Sequence, residues 1–244
     1  GVGLENIAAP ACRARGVEVV YTPDANTLAV GDFVTGFLLQ LLRPWALFRD
    51  RALTKSEFKH IRDTQRGRQI NELTIGILGM GRVGRRVGRI MSQGFGARVI
   101  YNDLRDVAHE LTFPATSVDK ETLYRESDVL TLHVDMRPGN EHLIGRDQLA
   151  LLKPDAILIN TSRGEVLDAA ALADTIRSGK LTGAALDVYD PEPPAADFPL
   201  LGLPNVLLAP HMAARTHTAI ENMSWVVRDV LGILQDEKPQ FPAP

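Results

Sequence analysis

Three residues at the ends of apolar runs have the types that reduction of a carbonyl requires. Arg163 follows AILINTS, Glu192 stands in the proline-rich loop after GAALDVYD, and His211 follows NVLLAP. Arginine presents a planar fork that grips a carboxylate bidentately. Histidine exchanges a proton near neutral pH, and a carboxylate beside it favours the imidazolium. Together they suit the reduction of a 2-keto acid by a hydride donor. A lone histidine at a strand end is more often a half-buried ring with backbone partners. The company of Arg163 and Glu192 turns the reading of His211 toward catalysis.

The hydride donor has its own signature. Residues 79–84, GMGRVG, match G-x-G-x-x-G directly after the strand-like TIGIL and at the start of an amphipathic segment. Gly79 permits the tight turn, Gly81 lets a pyrophosphate approach the backbone, and Gly84 lets helix and strand pack closely. The N–H groups of Arg82 and Val83 then face the phosphates at the positive end of a helix, and Arg82 can add a charge-assisted bond. Arg85, Arg86 and Arg89 are expected on a solvated helix face. VIYND places Asp103 at the end of the next strand, where a carboxylate accepts the adenosine ribose hydroxyls and selects NAD over NADP. Arg105, two residues on, leaves slight room for NADP.

These residues must be positioned by a sheet. Apolar runs at 74–78, 97–102, 127–134, 156–161, 183–188 and 205–210 alternate with helical patterns, clearest over 167–179, where Asp168 can cap the helix and Gly179 end it. The expected class is α/β, a Rossmann-type doubly wound parallel sheet with both faces covered. In such a sheet ligands bind outside the carboxyl ends of the strands, where Arg163, Asp187, Glu192 and His211 fall. A short strand is expected at 17–20, a long helix from Asn26 to about Asp50 that Pro44 kinks or ends, an exposed polar connector over 51–71, and one final helix from Thr216 to Gln235.

Composition narrows the classes. The 244 residues are 45% apolar and 23% charged, ordinary for a soluble globular chain with a substantial core. A net charge of −3 without a basic run gives no reason to expect nucleic acid. The longest apolar stretch, FVTGFLLQLL, is too short to span a bilayer. Cys12 is the only cysteine, which excludes an intrachain disulfide or a CxxC metal pair; it reads as a small core residue in a reducing, cytoplasmic compartment. His60, His109, His142 and His217 have no metal-ligand spacing and read as surface or packing residues, so no metal is expected.

Six segments in order, GVGLENI, ARGVEVVYTPDANT, GILGMGRVG, NTSRGEVLDAAAL, GAALDVYDPEP and APHMAART, resemble the D-isomer-specific 2-hydroxyacid dehydrogenases over nearly the whole chain. The resemblance implies an NAD-dependent oxidoreductase interconverting a D-2-hydroxy acid and its keto acid. Arg163 would bind the substrate carboxylate and carbonyl, His211 would be the acid/base and Glu192 its partner. Asp187 would hold the nicotinamide carboxamide with backbone around Thr161 and Ser162, and His133 and Val134 would lie beside the cofactor. Backbone N–H groups of Val2 and Gly3 would receive the substrate carboxylate.

The resemblance also implies a homodimer through the cofactor domain. It further implies a division into residues 1–25 as the remnant of a flavodoxin-like substrate domain, 26–216 as the NAD-binding domain and 217–244 as a helix returning to the first. On this reading the chain is a fragment of a longer protein. Two departures stand out: the family's usual Val-Ala-Glu in the first long helix is Val30-Gly31-Asp32 here, and most of the second lobe is missing. Phosphite oxidation on the same scaffold is an alternative, since it retains Arg, Glu and His; formate dehydrogenases carry Gln where Glu192 stands. A second alternative is an NAD(H)-sensing corepressor-like module, although those carry Trp where Ala214 stands.

Overall fold

Within each apolar run, successive side chains turn to opposite faces. In TIGIL, Ile75 and Ile77 enter the core on one side and Leu78 the core on the other, and all five residues are buried. A strand covered on both faces requires this. The computed structural model describes residues 3–4, 7–43 and 50–243. Its strands β1 (Thr74–Leu78), β2 (Arg98–Asn102), β3 (Thr116–Ser117), β4 (Val129–Leu132), β5 (Ala156–Asn160), β6 (Leu181–Leu186) and β7 (Val206–Leu208) form one sheet. The order is β3-β2-β1-β4-β5-β6-β7, and every pairing is parallel. The Rossmann-type class expected from the sequence is the one observed.

The register aligns the strand ends. Asn102 pairs with Leu78, Leu78 with Leu132, Leu132 with Asn160, Asn160 with Leu186, and Leu186 with Leu208. The next residues, Asp103, Gly79, His133, Thr161, Asp187 and Ala209, therefore emerge together on one rim. Strand order reverses between β1 and β4, which opens the crevice where such sheets take ligands.

The helices are α1 (Ala9–Arg13), α2 (Thr27–Leu42), α3 (Lys55–Thr64), α4 (Arg82–Arg89), α5 (Lys120–Glu126), α6 (Arg146–Leu151), α7 (Ala169–Arg177), α8 (His217–Ser224) and α9 (Val226–Leu234); a π turn over Ile90–Gly94 closes α4. One core places Val30, Val34 and Leu38 of α2 and Val87 of α4 against Ile75, Ile77, Val99, Ile157 and Ile159. The other places Leu123, Leu149, Leu172 and Ile176 of α5, α6 and α7 against Leu130, Leu132, Leu158 and Leu186. Asp168 caps α7 by accepting the Ala171 amide at 2.9 Å, and Gly179 ends that helix at φ +75°.

Several boundaries differ from expectation. The long first helix stops at Leu42, before Pro44, whose position lies outside the described residues. The expected strand at 17–20 is reduced to a single bridge, Val20 to Pro242. Nearby, Tyr21 donates to the Phe241 carbonyl at 3.2 Å and Ala243 to that of Val19 at 2.7 Å, so the tail is what it pairs with. The expected connector at 51–71 contains α3, opened by a capping box in which Thr54 and Glu57 exchange bonds. None of its residues is buried, so it has no apolar stripe to announce it. The expected final helix is two, α8 and α9, joined at Trp225. Cys12 is half-buried rather than a core residue.

Gly31 has a local reason. A Cβ there would lie 2.5 Å from Cγ of Arg86, so glycine admits the Arg86 stem between α2 and α4. Asp32 completes the contact, 3.1 Å from the same guanidinium. Arg85 and Arg86 are thus half-buried cross-links rather than a solvated face, Arg85 binding the Met80 carbonyl at 3.1 Å and Glu110 at 2.6 Å; Arg89 is exposed, as expected, and binds the Thr112 hydroxyl.

Candidate active site

The level strand ends enclose a cavity of about 470 Å³. Gly79, Gly81, Arg82, Val83, Asp103, His133, Val134, Thr161, Ser162, Arg163, Asp187 and His211 all line it. Gly84 lies beneath the turn, Glu192 stands behind His211, and exposed Gly3 is not among the lining residues. Val2 lies outside the described residues.

The glycine turn fits a dinucleotide. Gly79 has φ +94°, and a Cβ on it would meet the His133 carbonyl oxygen at 2.5 Å. At Gly84 a Cβ would lie 2.1 Å from the Gly79 carbonyl oxygen, so helix and turn close only on glycine. Gly81 has open space where a Cβ would be, which leaves bare backbone at the start of α4. No side chain caps that helix, and its first N–H groups are available to an anion. Asp103 is braced by its neighbours: Oδ2 accepts the Met80 amide at 2.7 Å and Oδ1 the Arg105 amide at 2.9 Å. Deeper in the cavity, the buried Thr161 hydroxyl has no hydrogen-bond partner among the described residues. A bound polar ligand would supply one.

His133 contributes a neutral ring. Burial pulls its imidazole down to about 3, although one edge of the residue remains accessible on the cavity. Its Nε2 lies 3.0 Å from the Thr131 hydroxyl.

The loop after β5 is held by Asn160, the first residue of the NTSRGEVLDAAAL segment, to which the sequence reading gives no role. Its side chain is fully buried; Oδ1 accepts the Ser162 amide at 3.0 Å and hydroxyl at 2.8 Å, while Nδ2 donates to the Arg163 carbonyl at 2.8 Å. Arg163 Nη1 donates to the Ser162 carbonyl at 2.7 Å, keeping the guanidinium at the cavity wall.

His211 and Glu192 meet across two loops, Nδ1 to Oε2 at 2.8 Å. The other carboxylate oxygen of Glu192 accepts the Tyr189 amide at 3.0 Å. His211 has φ +50°, a left-handed conformation that β-carbon sterics disfavour. The turn that imposes it is anchored by Asp187, 1% exposed, whose two oxygens accept the amides of Met212 and Ala213 at 2.8 Å each. Burial pushes the Asp187 carboxyl above its usual range against the pull of those amides. Anchoring this turn is the work the structure displays for Asp187. Sequence spacing could not reveal it, because the partners are backbone groups far along the chain. Gly164 is a further residue that spacing does not reveal: a Cβ there would lie 1.9 Å from the Tyr189 carbonyl carbon, so the loops bearing Arg163 and Glu192 touch at bare backbone. Of the two readings for His60, His109, His142 and His217, surface or packing, the structure gives the surface for all four.

Residues 35–213 match the sequence profile of the D-isomer-specific 2-hydroxyacid dehydrogenase NAD-binding domain. The chain is 38% identical over 239 residues to glyoxylate/hydroxypyruvate reductase B of Pectobacterium carotovorum, covering 97% of this chain and 74% of that protein. It is 37% identical over 233 residues to a glyoxylate reductase of Korarchaeum cryptofilum, covering 94% and 70% respectively. Its fold superposes on the D-lactate dehydrogenase of Lactobacillus jensenii, solved with NAD+, with a TM-score of 0.83 and 28% identity over 100% of this chain and 76% of that one. With its NAD-binding domain matched over most of its length and relatives of this identity, this chain belongs to the D-isomer-specific 2-hydroxyacid dehydrogenase family of NAD-dependent oxidoreductases.

Proposed function

We propose that the protein reduces a small 2-keto acid to its D-2-hydroxy acid, and runs the reverse oxidation, with His211 as acid/base, Glu192 as its partner and Arg163 as substrate anchor. The observation that carries this is the 2.8 Å bond between His211 and Glu192 on the cavity rim that Arg163 and the glycine turn also line. The reduced nicotinamide, when bound, supplies the hydride to the carbonyl carbon. His211 Nε2, the ring nitrogen not engaged by Glu192, gives its proton to the carbonyl oxygen; the alcohol forms as the imidazole becomes neutral. Glu192 fixes the ring's orientation through its bond to Nδ1, leaving Nε2 toward the substrate. Arg163 holds the substrate carboxylate and, with it, the angle of the carbonyl.

The residues that would hold the cofactor are Gly79, Gly81, Arg82, Val83 and Gly84 at the pyrophosphate, Asp103 at the adenosine ribose, and His133, Val134, Thr161, Ser162 and Asp187 around the nicotinamide. The names of the reductases above favour glyoxylate or hydroxypyruvate as substrate. The amides of Val2 and Gly3 would assist Arg163. Residues 26–216 would form the cofactor unit, with 1–25 and the returning segment 217–244 belonging to the substrate side. We infer a cytoplasmic homodimer joined through the cofactor unit, which light scattering and cell fractionation test. Among the described residues, no helix is long and apolar enough to cross a membrane. The roles themselves are tested by Arg163→Lys: the keto-acid KM should rise at least tenfold with the NADH Kd unchanged, because an ammonium cannot grip a carboxylate bidentately. An unchanged KM would remove Arg163 from the substrate site.

A further inference from the structure

The chain that follows α9 turns back and ties itself to one wall of the cavity. Asp236, at φ +61°, leads the chain out of the helix, and the Glu237 amide donates to the Gly232 carbonyl at 2.8 Å. Gln240 and Phe241 then come back to Asp229 on α9. Oδ1 of Asp229 accepts the Gln240 amide at 3.0 Å, and Oδ2 accepts the Phe241 amide at 2.8 Å. Bonds from an amide to a carboxylate are stronger than those between neutral groups. One helix position thus holds two consecutive amides of the tail.

Beyond that clasp the tail pairs antiparallel with residues 19–21. Val20 faces Pro242, the Tyr21 amide donates to the Phe241 carbonyl at 3.2 Å, and the Ala243 amide donates to the Val19 carbonyl at 2.7 Å. In this pattern the facing pair exchanges no bonds of its own, so a proline without an N–H fits there at no loss. Arg13 holds the far side, its Nη2 donating to the Ala243 carbonyl at 3.1 Å, and Ala243 is buried.

The segment that the tail holds leads directly into the site. Tyr21 and Pro23 line the same cavity as Arg163 and His211. The glycine turn and Asp103 stand instead at the ends of β1 and β2, braced by the sheet and by the Met80 amide.

We propose that residues 239–243 are a strap that fixes the Tyr21–Pro23 wall, and that Asp229 is the positioning residue that fixes the strap. This rests on the keto-acid reading above, which puts residues 1–25 and 217–244 on the substrate side. A loosened strap lets that wall draw away from the keto acid while the cofactor stays seated on the sheet. The keto-acid KM therefore responds to Asp229, and the NADH Kd does not.

The test compares the unmodified protein with Asp229→Ala and Asp229→Asn. It records ligand-free amide hydrogen exchange, the KM and kcat for glyoxylate and hydroxypyruvate, and the NADH Kd. In Asp229→Ala, exchange at the Tyr21 and Ala243 amides should quicken about tenfold or more, because the pairing loses its clasp. The KM for both keto acids should rise about three- to tenfold, with kcat and NADH Kd within about twofold. Asp229→Asn keeps one acceptor and should shift exchange and KM in the same direction by less. Unchanged exchange in Asp229→Ala would show that the tail keeps its place without the clasp. Faster exchange with an unchanged KM would show that the strap is no part of the site. Either result overturns the inference, and so does a NADH Kd that rises in step with KM. If the unmodified protein turns over no small 2-keto acid, the keto-acid reading fails first, and this inference with it.

Discussion

The Tyr189 hydroxyl donates to the Ala209 carbonyl at 2.7 Å, and this bond fastens the loop carrying Glu192 to the loop carrying His211. The Tyr189 amide meanwhile orients Glu192. Burial pushes the phenol up to about 12, so the donor survives at any working pH. Tyr189→Phe should cost about 1 kcal/mol in thermal or urea unfolding, because the Ala209 carbonyl then keeps only the His211 amide, at 3.0 Å. The kcat should fall severalfold while the NADH Kd holds. Equal kcat values would show that the two loops keep their spacing without the bond.

At Gly164 the same loop meets the one bearing Arg163. An alanine Cβ would lie 1.9 Å from the Tyr189 carbonyl carbon, 2.0 Å from its oxygen and 2.5 Å from the Asp190 nitrogen. Backbone cannot swing aside as a flexible side chain can. Gly164→Ala should therefore destabilise the fold by about 1–3 kcal/mol and raise the keto-acid KM, measured by unfolding and steady-state kinetics. Wild-type values for both would mean that the loops separate at no cost.

Asp187→Asn keeps the shape but turns one acceptor into a donor, facing an amide N–H of Met212 or Ala213. A loss of about 2–3 kcal/mol is expected in the unfolding free energy. Turnover should fall with it, since the turn bearing His211 loses an anchor. Unchanged stability would show that the turn is held by other bonds.

His133 makes the fold sensitive to acid. Its imidazole titrates near 3 in the folded protein against a usual value of 6.5, so the unfolded chain binds the extra proton first. Stability from this residue is complete above pH 6.5 and declines as pH falls from there toward 3, by at most about 4–5 kcal/mol. The accessible edge of the ring makes the realised loss smaller. His133→Gln should flatten the dependence of Tm on pH between 6 and 4 relative to the unmodified protein. Parallel curves would show that other groups set the acid limb.

Much of the fold and of the site is legible in the sequence alone. The strand cores lie where continuous apolar runs lie, and GMGRVG sits in the strand-turn-helix context its glycines require. Periodicity could not show α3, whose residues are all at least partly exposed, although its Thr54-to-Glu57 capping box is written in the sequence. Nor could it show Asn160, Tyr189 or Gly164. Tyr189 and Gly164 matter through backbone groups brought near by the register of β5, β6 and β7, which leaves no spacing to read, while Asn160 acts locally on Ser162 and Arg163 and carries no apolar signal. Arg85 and Arg86 read as a solvated face because Gly31, Asp32 and Glu110, which receive them, belong to other segments.

The most direct test is NADH consumption with glyoxylate, hydroxypyruvate, pyruvate and bulkier 2-keto acids, run on the unmodified protein and on His211→Gln. The account predicts turnover of at least one small keto acid to the D-hydroxy acid. It also predicts a fall in kcat of about 10²- to 10⁴-fold in the variant, with NADH still bound at its original Kd. Turnover that survives His211→Gln unchanged would contradict the account at its centre.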